Sequence, residues 1–165
     1  NEKLVFHGTP RYCFLGDGDA MADLCDMSIC GLCGILRNSF SVARAGTAPG
    51  RNFLRFGHGI YTSSVSSKAD DYTNKLSHST NKVLIVAKVA LGKGSIFHRT
   101  TTSLRSAPEG YNSVLGEVGI DLNYDEQVLY QDDAVRPAYV ILYDRPVPPN
   151  PPAAAAKSSS SCTIM

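Results

Sequence analysis

Val83-Leu84-Ile85-Val86-Ala87-Lys88-Val89-Ala90-Leu91 is apolar at every position except Lys88 and rich in β-branched residues. Such a run reads as a strand buried on both faces. Outward from it, Lys3–Phe6 is a shorter apolar run that ends at His7-Gly8, a strand running into a site. Glu126–Tyr130 and Ala138–Tyr143 read as two further strands. Two-residue alternation puts Glu126, Val128 and Tyr130 on one face of the first. Ser64–Tyr72 has Ser and Asp caps and a helix-compatible pattern. Residues 10–33, rich in Gly, Asp and Cys, read as an irregular loop with room for one short helix around Ala20–Cys25. Gly34–Arg37 opens a helical turn or a strand. Residues 44–55 read as a flexible loop, and 99–116 as a long loop carrying Pro108 and Gly110. No internal repeat is visible.

The 165 residues suit one domain with a real core. Apolar content of 43% and charged content of 19% are ordinary for a soluble protein. A net charge of +1 gives no broad electrostatic footprint for nucleic acid. No stretch approaches the roughly 20 apolar residues that span a bilayer, and the start carries no secretory signal. The chain opens on Asn1 and is expected to be a piece of a longer protein.

From Pro146 the composition shifts to Pro, Ala and Ser, which cannot bury enough apolar area to offset ordering entropy. The expected division is a domain over 1–145 and a disordered tail over 146–165. The tail ends Cys162-Thr163-Ile164-Met165, which matches C-a-a-X and suggests farnesylation of Cys162. Only Lys157 is basic nearby, and one lipid alone anchors weakly. The expected location is cytoplasm or nucleus, with membrane contact only if Cys162 is lipidated.

Four of the five cysteines crowd together as Cys13-x11-Cys25-x4-Cys30-x2-Cys33. They could complete a tetrahedral zinc site and pin a loop. Free buried thiols and two disulfides are the alternatives, the latter requiring an oxidising compartment. A zinc here would be structural, because four thiolates leave no open position for water.

Four short motifs remain, in this order: Phe6-His7-Gly8-Thr9, Phe56-Gly57-His58-Gly59-Ile60-Tyr61, Tyr72, and Tyr124-Asp125-Glu126-Gln127-Val128-Leu129-Tyr130. They place a His, two Tyr and a Glu at the ends of expected strands. Aromatic faces attract a cationic ring. A carboxylate stabilises an oxocarbenium-like centre, as in glycoside chemistry. A Gly lets backbone groups approach a ligand closely. Taken singly, His7 reads as a satisfied strand-end histidine, the tyrosines as core or surface aromatics and Glu126 as a solvated charge. Their co-occurrence in order carries the functional reading.

In that order the motifs resemble the catalytic domain of the poly(ADP-ribose) polymerase family, the ADP-ribosyltransferases with a His-Tyr-Glu signature. The resemblance covers about residues 3–143, and Gly110-Tyr111-Asn112-Ser113-Val114 resembles a further family segment. It implies an α+β fold of two packed, mostly antiparallel sheets that form an NAD cleft, with few helices and one near 65–73. It implies NAD as substrate and a protein as acceptor. His7 would bond ribose, Gly8 would bond the nicotinamide carboxamide through its backbone, and Thr9 would lie near the adenosine ribose. Tyr61 would flank nicotinamide and Tyr72 would stack on it. Lys68 and Ala69 fall in the same binding segment. Glu126 would bond the ribose 2′-hydroxyl, stabilise the oxocarbenium and help to activate an acceptor hydroxyl. His7, Tyr61 and Glu126 are thus the catalytic candidates.

Ala69 departs from the pattern, because the family usually has Ser there, bonding the carboxamide. Weaker NAD binding is the expected consequence, unless Ser66, Ser67 or a one-residue register shift compensates. The cysteine-bearing loop also departs from the commonest members, and the regulatory helical domain of larger ones is absent from this stretch. The resemblance leaves mono- and poly-ADP-ribosylation open. An NAD glycohydrolase, a catalytically silent NAD- or ADP-ribose-binding module and a zinc-stabilised interaction domain are the competing readings.

Overall fold

The computed structural model describes residues 1–18, 22–48, 53–73, 79 and 81–144. The chain forms β1 (Glu2–Gly8), α1 (Gly31–Asn38), β2 (Ile60–Thr62), α2 (Ser66–Asp70), β3 (Asn81–Ala90), β4 (Gly94–Phe97), β5 (Ser113–Gly116), β6 (Glu126–Leu129) and β7 (Val135–Asp144). Two sheets result, one ordered β1-β3-β7 and one ordered β2-β6-β5-β4. Every pairing is antiparallel except β4 with β5. The fold is therefore α+β with two mostly antiparallel sheets, as the family resemblance implies.

The apolar run lies in β3, the centre of the first sheet. Val83, Ile85, Ala87 and Val89 face the larger core, where they meet Val5, Leu32, Cys33, Phe40 and Val135. Leu84, on the other face, is also buried, at the end of β3 that α2 packs against. Farther along, Lys88 and Ala90 are exposed, so burial on both faces ends at Ala87. Opposite that point Val86 pairs with Tyr139 but Ala87 pairs with Pro137, leaving Ala138 as the extra residue of a bulge. Pro137 has no N–H to give a ladder, and a bulge on an edge strand tolerates it.

A smaller core of Phe56, Val114, Leu122 and Val128 backs the second sheet. One bridge joins the sheets: Phe6 N–H donates to the Ser63 carbonyl at 2.8 Å, and Ser63 N–H returns the bond to Phe6 at 3.0 Å. It sets β1 beside β2 and so brings the His-Gly-Thr motif next to the Gly-Ile-Tyr motif. Arg11, 2% exposed, fixes the loop after β1. Its guanidinium donates to the Leu15 carbonyl and to Asp17 at 2.8 Å each, to the Asn81 carbonyl at 2.9 Å, and to Ser79. One buried cation thereby ties residues 11–17 to the start of β3.

Several boundaries differ from those expected. Ala22–Cys25 is not helical, and Ala20 and Met21 lie outside the described residues. The helix in this region is α1, which begins at Gly31 within the expected loop and absorbs Gly34–Arg37. The expected 64–72 helix is only Ser66–Asp70, because Ser63 Oγ and Asp125 take up the preceding backbone: Val65 N–H donates to Ser63 Oγ at 3.1 Å and Ser64 N–H to Asp125 at 3.2 Å. The 99–116 loop ends in strand β5, whose parallel partner β4 is a four-residue piece opening on Gly94-Ser95. Residue 145 and the 146–165 tail, with Cys162, lie outside the described residues. Among the described residues no helix is long and apolar enough to cross a membrane.

Candidate active site

A cavity of about 500 Å³ opens where the two sheets meet. That is within the roughly 300–1,000 Å³ of sites for small molecules and cofactors. His7, Gly8, Thr9, Tyr61, Tyr72 and Glu126 all line it. Residues up to 119 positions apart in sequence therefore share one site, through the Phe6–Ser63 bridge and the pairing of β2 with β6.

His7, at the end of β1, donates from Nδ1 to the Tyr61 carbonyl at 2.8 Å. A carbonyl only accepts, so Nδ1 carries the proton and Nε2 of the neutral ring remains an acceptor. Burial holds the ring's pKa below the ordinary histidine value, against the raising pull of that carbonyl. Phe40 meets the ring edge-on with centroids 5.0 Å apart. Gly8 follows, and here only glycine fits: a Cβ would stand 1.8 Å from the Ala69 carbonyl oxygen. Thr9 is buried against α1, its Oγ1 2.1 Å from where a Gly31 Cβ would lie.

Tyr61, in β2, is locked from both sides. Its hydroxyl accepts from Phe56 N–H at 2.7 Å and donates to the Gly57 carbonyl at 2.9 Å. Burial drives its pKa well above the ordinary phenol value, so the ring stays neutral. Tyr130, just past β6, donates to the Phe56 carbonyl at 2.7 Å and is pushed up to about 12 by burial. The Phe56–Gly59 turn is thus held by two tyrosine hydroxyls, which fixes the rim beneath Tyr61.

Glu126 opens β6 opposite Gly116 and is 5% exposed, so the solvated-charge alternative does not hold. Lys68 Nζ lies 3.1 Å from Oε1, and Arg55 Nε 3.7 Å from Oε2. Oε2 is the one buried side-chain oxygen or nitrogen among the described residues with no hydrogen-bond partner. Burial disfavours the Lys68 charge, but Tyr72 and Glu126 outweigh it and hold its pKa above the ordinary lysine value. Lys68 also sits 5.1 Å from the centroid of the Tyr72 ring. It therefore links the glutamate to the aromatic that lines the cavity. A buried carboxylate survives only when paired in this way.

Two expected residues stand behind the cavity rather than in its lining. Lys68 supports Glu126, and Ala69, 4% exposed, packs beneath Gly8. Ser66 and Ser67 are exposed and line no part of the cavity. Arg44, Arg55 and Phe40 line the cavity and were not singled out by any motif. Arg55 donates to Thr100 Oγ1 at 2.7 Å, and Arg44 to the Ser28 carbonyl at 2.9 Å. The sequence signal for them was two arginines flanking a Gly- and Pro-rich loop. Asp125 is structural: it accepts from Ser63 Oγ at 2.9 Å and steadies the approach to α2.

The Sγ atoms of Cys13, Cys25, Cys30 and Cys33 all lie within 4.8 Å of one another, and all four are free thiols. No disulfide joins them in this structure.

The sequence profile described as the Poly(ADP-ribose) polymerase catalytic domain matches residues 1–119, a span that holds His7, Tyr61 and Tyr72 and stops short of Glu126. The human protein mono-ADP-ribosyltransferase PARP4 is 35% identical over 95 residues, 54% of this chain and 6% of the human protein. The mouse protein of the same name is 27% identical over 154 residues, 88% of this chain and 7% of the mouse protein. The chain thus spans less than a tenth of the length of these curated relatives.

Proposed function

Because this chain belongs to the poly(ADP-ribose) polymerase catalytic-domain family, we propose that it binds NAD in the cavity between its sheets, cleaves the nicotinamide–ribose bond and transfers ADP-ribose to a protein acceptor. The observation that carries the reading is Glu126 Oε2, buried at the cavity and without a hydrogen-bond donor. A ribose 2′-hydroxyl would supply that donor. The same carboxylate then stabilises positive charge at the ribosyl carbon as the bond to nicotinamide lengthens.

Nicotinamide leaves with the bonding electron pair and becomes neutral. The acceptor oxygen or nitrogen forms the new bond to the ribosyl carbon and loses its proton, with Glu126 the nearest base. Lys68 and Arg55 keep the carboxylate in place. His7 Nε2 accepts from a ribose hydroxyl. Gly8 offers its backbone to the carboxamide, and the Tyr61 and Tyr72 rings flank the pyridinium. Thr9 borders the adenosine side. Arg44 and Arg55 supply positive charge to an otherwise largely apolar cavity, which suits a pyrophosphate. The name shared by the two PARP4 relatives favours transfer of a single unit.

The test is to incubate the purified chain with NAD and a mixture of candidate protein acceptors, following nicotinamide and protein mass together. Release with mass gain in ADP-ribose steps is expected. Release into free ADP-ribose alone would replace the transferase by an NAD glycohydrolase. Binding of NAD with no release would leave a silent binding module.

A further inference from the structure

We propose that Cys13, Cys25, Cys30 and Cys33 hold one zinc ion as a closed tetrathiolate site, and that this ion sets the wall of the cavity formed by α1. A tetrahedron with Zn–S of about 2.3 Å has sulfurs about 3.8 Å apart. The Cys13 sulfur lies 3.9 Å from that of Cys30 and 3.5 Å from that of Cys33. A disulfide would need about 2.05 Å. Tyr12 N–H donates to Cys30 Sγ at 3.5 Å, the kind of outer bond that orients a metal-binding thiolate. Cys30 and Cys33 are wholly buried, so the site excludes water on that side. Binding exchanges four S–H protons for the ion and involves no redox step.

The ligands come from both sides of one seam. Cys13 lies in the loop that follows β1, Cys30 caps α1 and Cys33 lies in its first turn. Leu32 N–H donates to the Pro10 carbonyl at 3.1 Å across the same seam. Beyond it, Gly31, Gly34, Ile35 and Asn38 of α1 line the cavity. α1 is only 8 residues long and has no side-chain N-cap, so little within the helix itself holds its start. The ion would supply that fixing and so make the adenosine side of the pocket depend on metal. This second half rests on the NAD reading above; the metal itself does not.

The experiment takes the chain purified without chelators and measures zinc by mass spectrometry beside native thiol titration. About one zinc per chain and four protected thiols are expected. Cobalt substitution should give the thiolate charge-transfer and visible bands of a tetrahedral sulfur site, lost in Cys33→Ser. Cys162 should titrate freely in either case, and a folded, metal-free protein with all five thiols titrating freely overturns the proposal. NAD binding is then followed by calorimetry before and after zinc removal. A loss of about tenfold, reversed by added zinc, is expected; unchanged affinity overturns the coupling. Unfolding on removal that zinc reverses supports the structural site. Zinc-loaded protein that binds no NAD refutes the NAD reading and leaves the metal result standing.

Discussion

On the side supplied by β1 and α1, the cavity presents a neutral histidine, a glycine backbone, Thr9 and the edge of Phe40. On the side supplied by β6, α2 and residues 53–55, it presents Glu126 held between Lys68 and Arg55. The first side has one polar arrangement fixed by a backbone carbonyl, and burial keeps His7 uncharged. The second keeps a buried carboxylate in place with two cations and leaves one of its oxygens without a hydrogen bond. The difference separates two tasks. In the proposed reaction the neutral side would offer shape and backbone groups to the ligand's ground state. The charged side would offer its strength where positive charge develops, which is what accelerates a reaction.

Each side can be broken on its own. Gly8→Ala is expected to have the largest effect, because its Cβ would overlap the Ala69 carbonyl at 1.8 Å. Denaturant unfolding should show a loss of about 3 kcal/mol, with NAD binding lost alongside. Unchanged binding would mean the neutral side does not grip the ligand. Lys68→Met attacks the charged side and should lower kcat by about tenfold, roughly 1.4 kcal/mol, with KM little changed. A change confined to KM would place Lys68 in binding instead.

Ala69→Ser should sharpen the neutral side. A restored carboxamide bond would tighten NAD by about 0.5–1.5 kcal/mol, read by calorimetry, and weaker binding would show that the buried position beneath Gly8 rejects the hydroxyl. The smallest effect concerns pH. The folded pKa of His7 is lowered, so the unfolded chain takes up its proton first as pH falls below about 6.5. Stability should therefore be full above that pH and decline below it, towards the folded pKa. In His7→Gln that part of the decline should vanish; an identical slope would assign it to other groups.

The neutral side was the more legible in the sequence, for a physical reason. Its groups belong to contiguous motifs, and a Gly beside a strand-end His is a local signal. Glu126 was legible only through the family resemblance, since taken singly it reads as a solvated charge, and its cation Arg55 was not legible at all. Arg55 reaches the site from a loop whose composition says only that it is irregular, and its pairing with Glu126 spans 71 positions. Strand β4 was missed on similar grounds: four residues opening on Gly-Ser carry no periodicity, and its pairing with β5 is non-local. The apolar β3 run was read as strand correctly, yet its two-sided burial stops at Ala87 because α2 covers only one end of the sheet. The cysteine spacing foretold the sulfur cluster, since three of the four thiols lie within nine consecutive residues around one helix start.

The most direct test of the division between the two sides is Glu126→Gln, with NAD affinity and nicotinamide release measured on the same protein. The amide keeps the size of the side chain and removes its charge. Affinity within a few-fold of the parent and turnover lower by about 100-fold or more is the predicted result. Turnover that survives, or a loss that appears wholly in affinity, would contradict the assignment of the chemistry to Glu126.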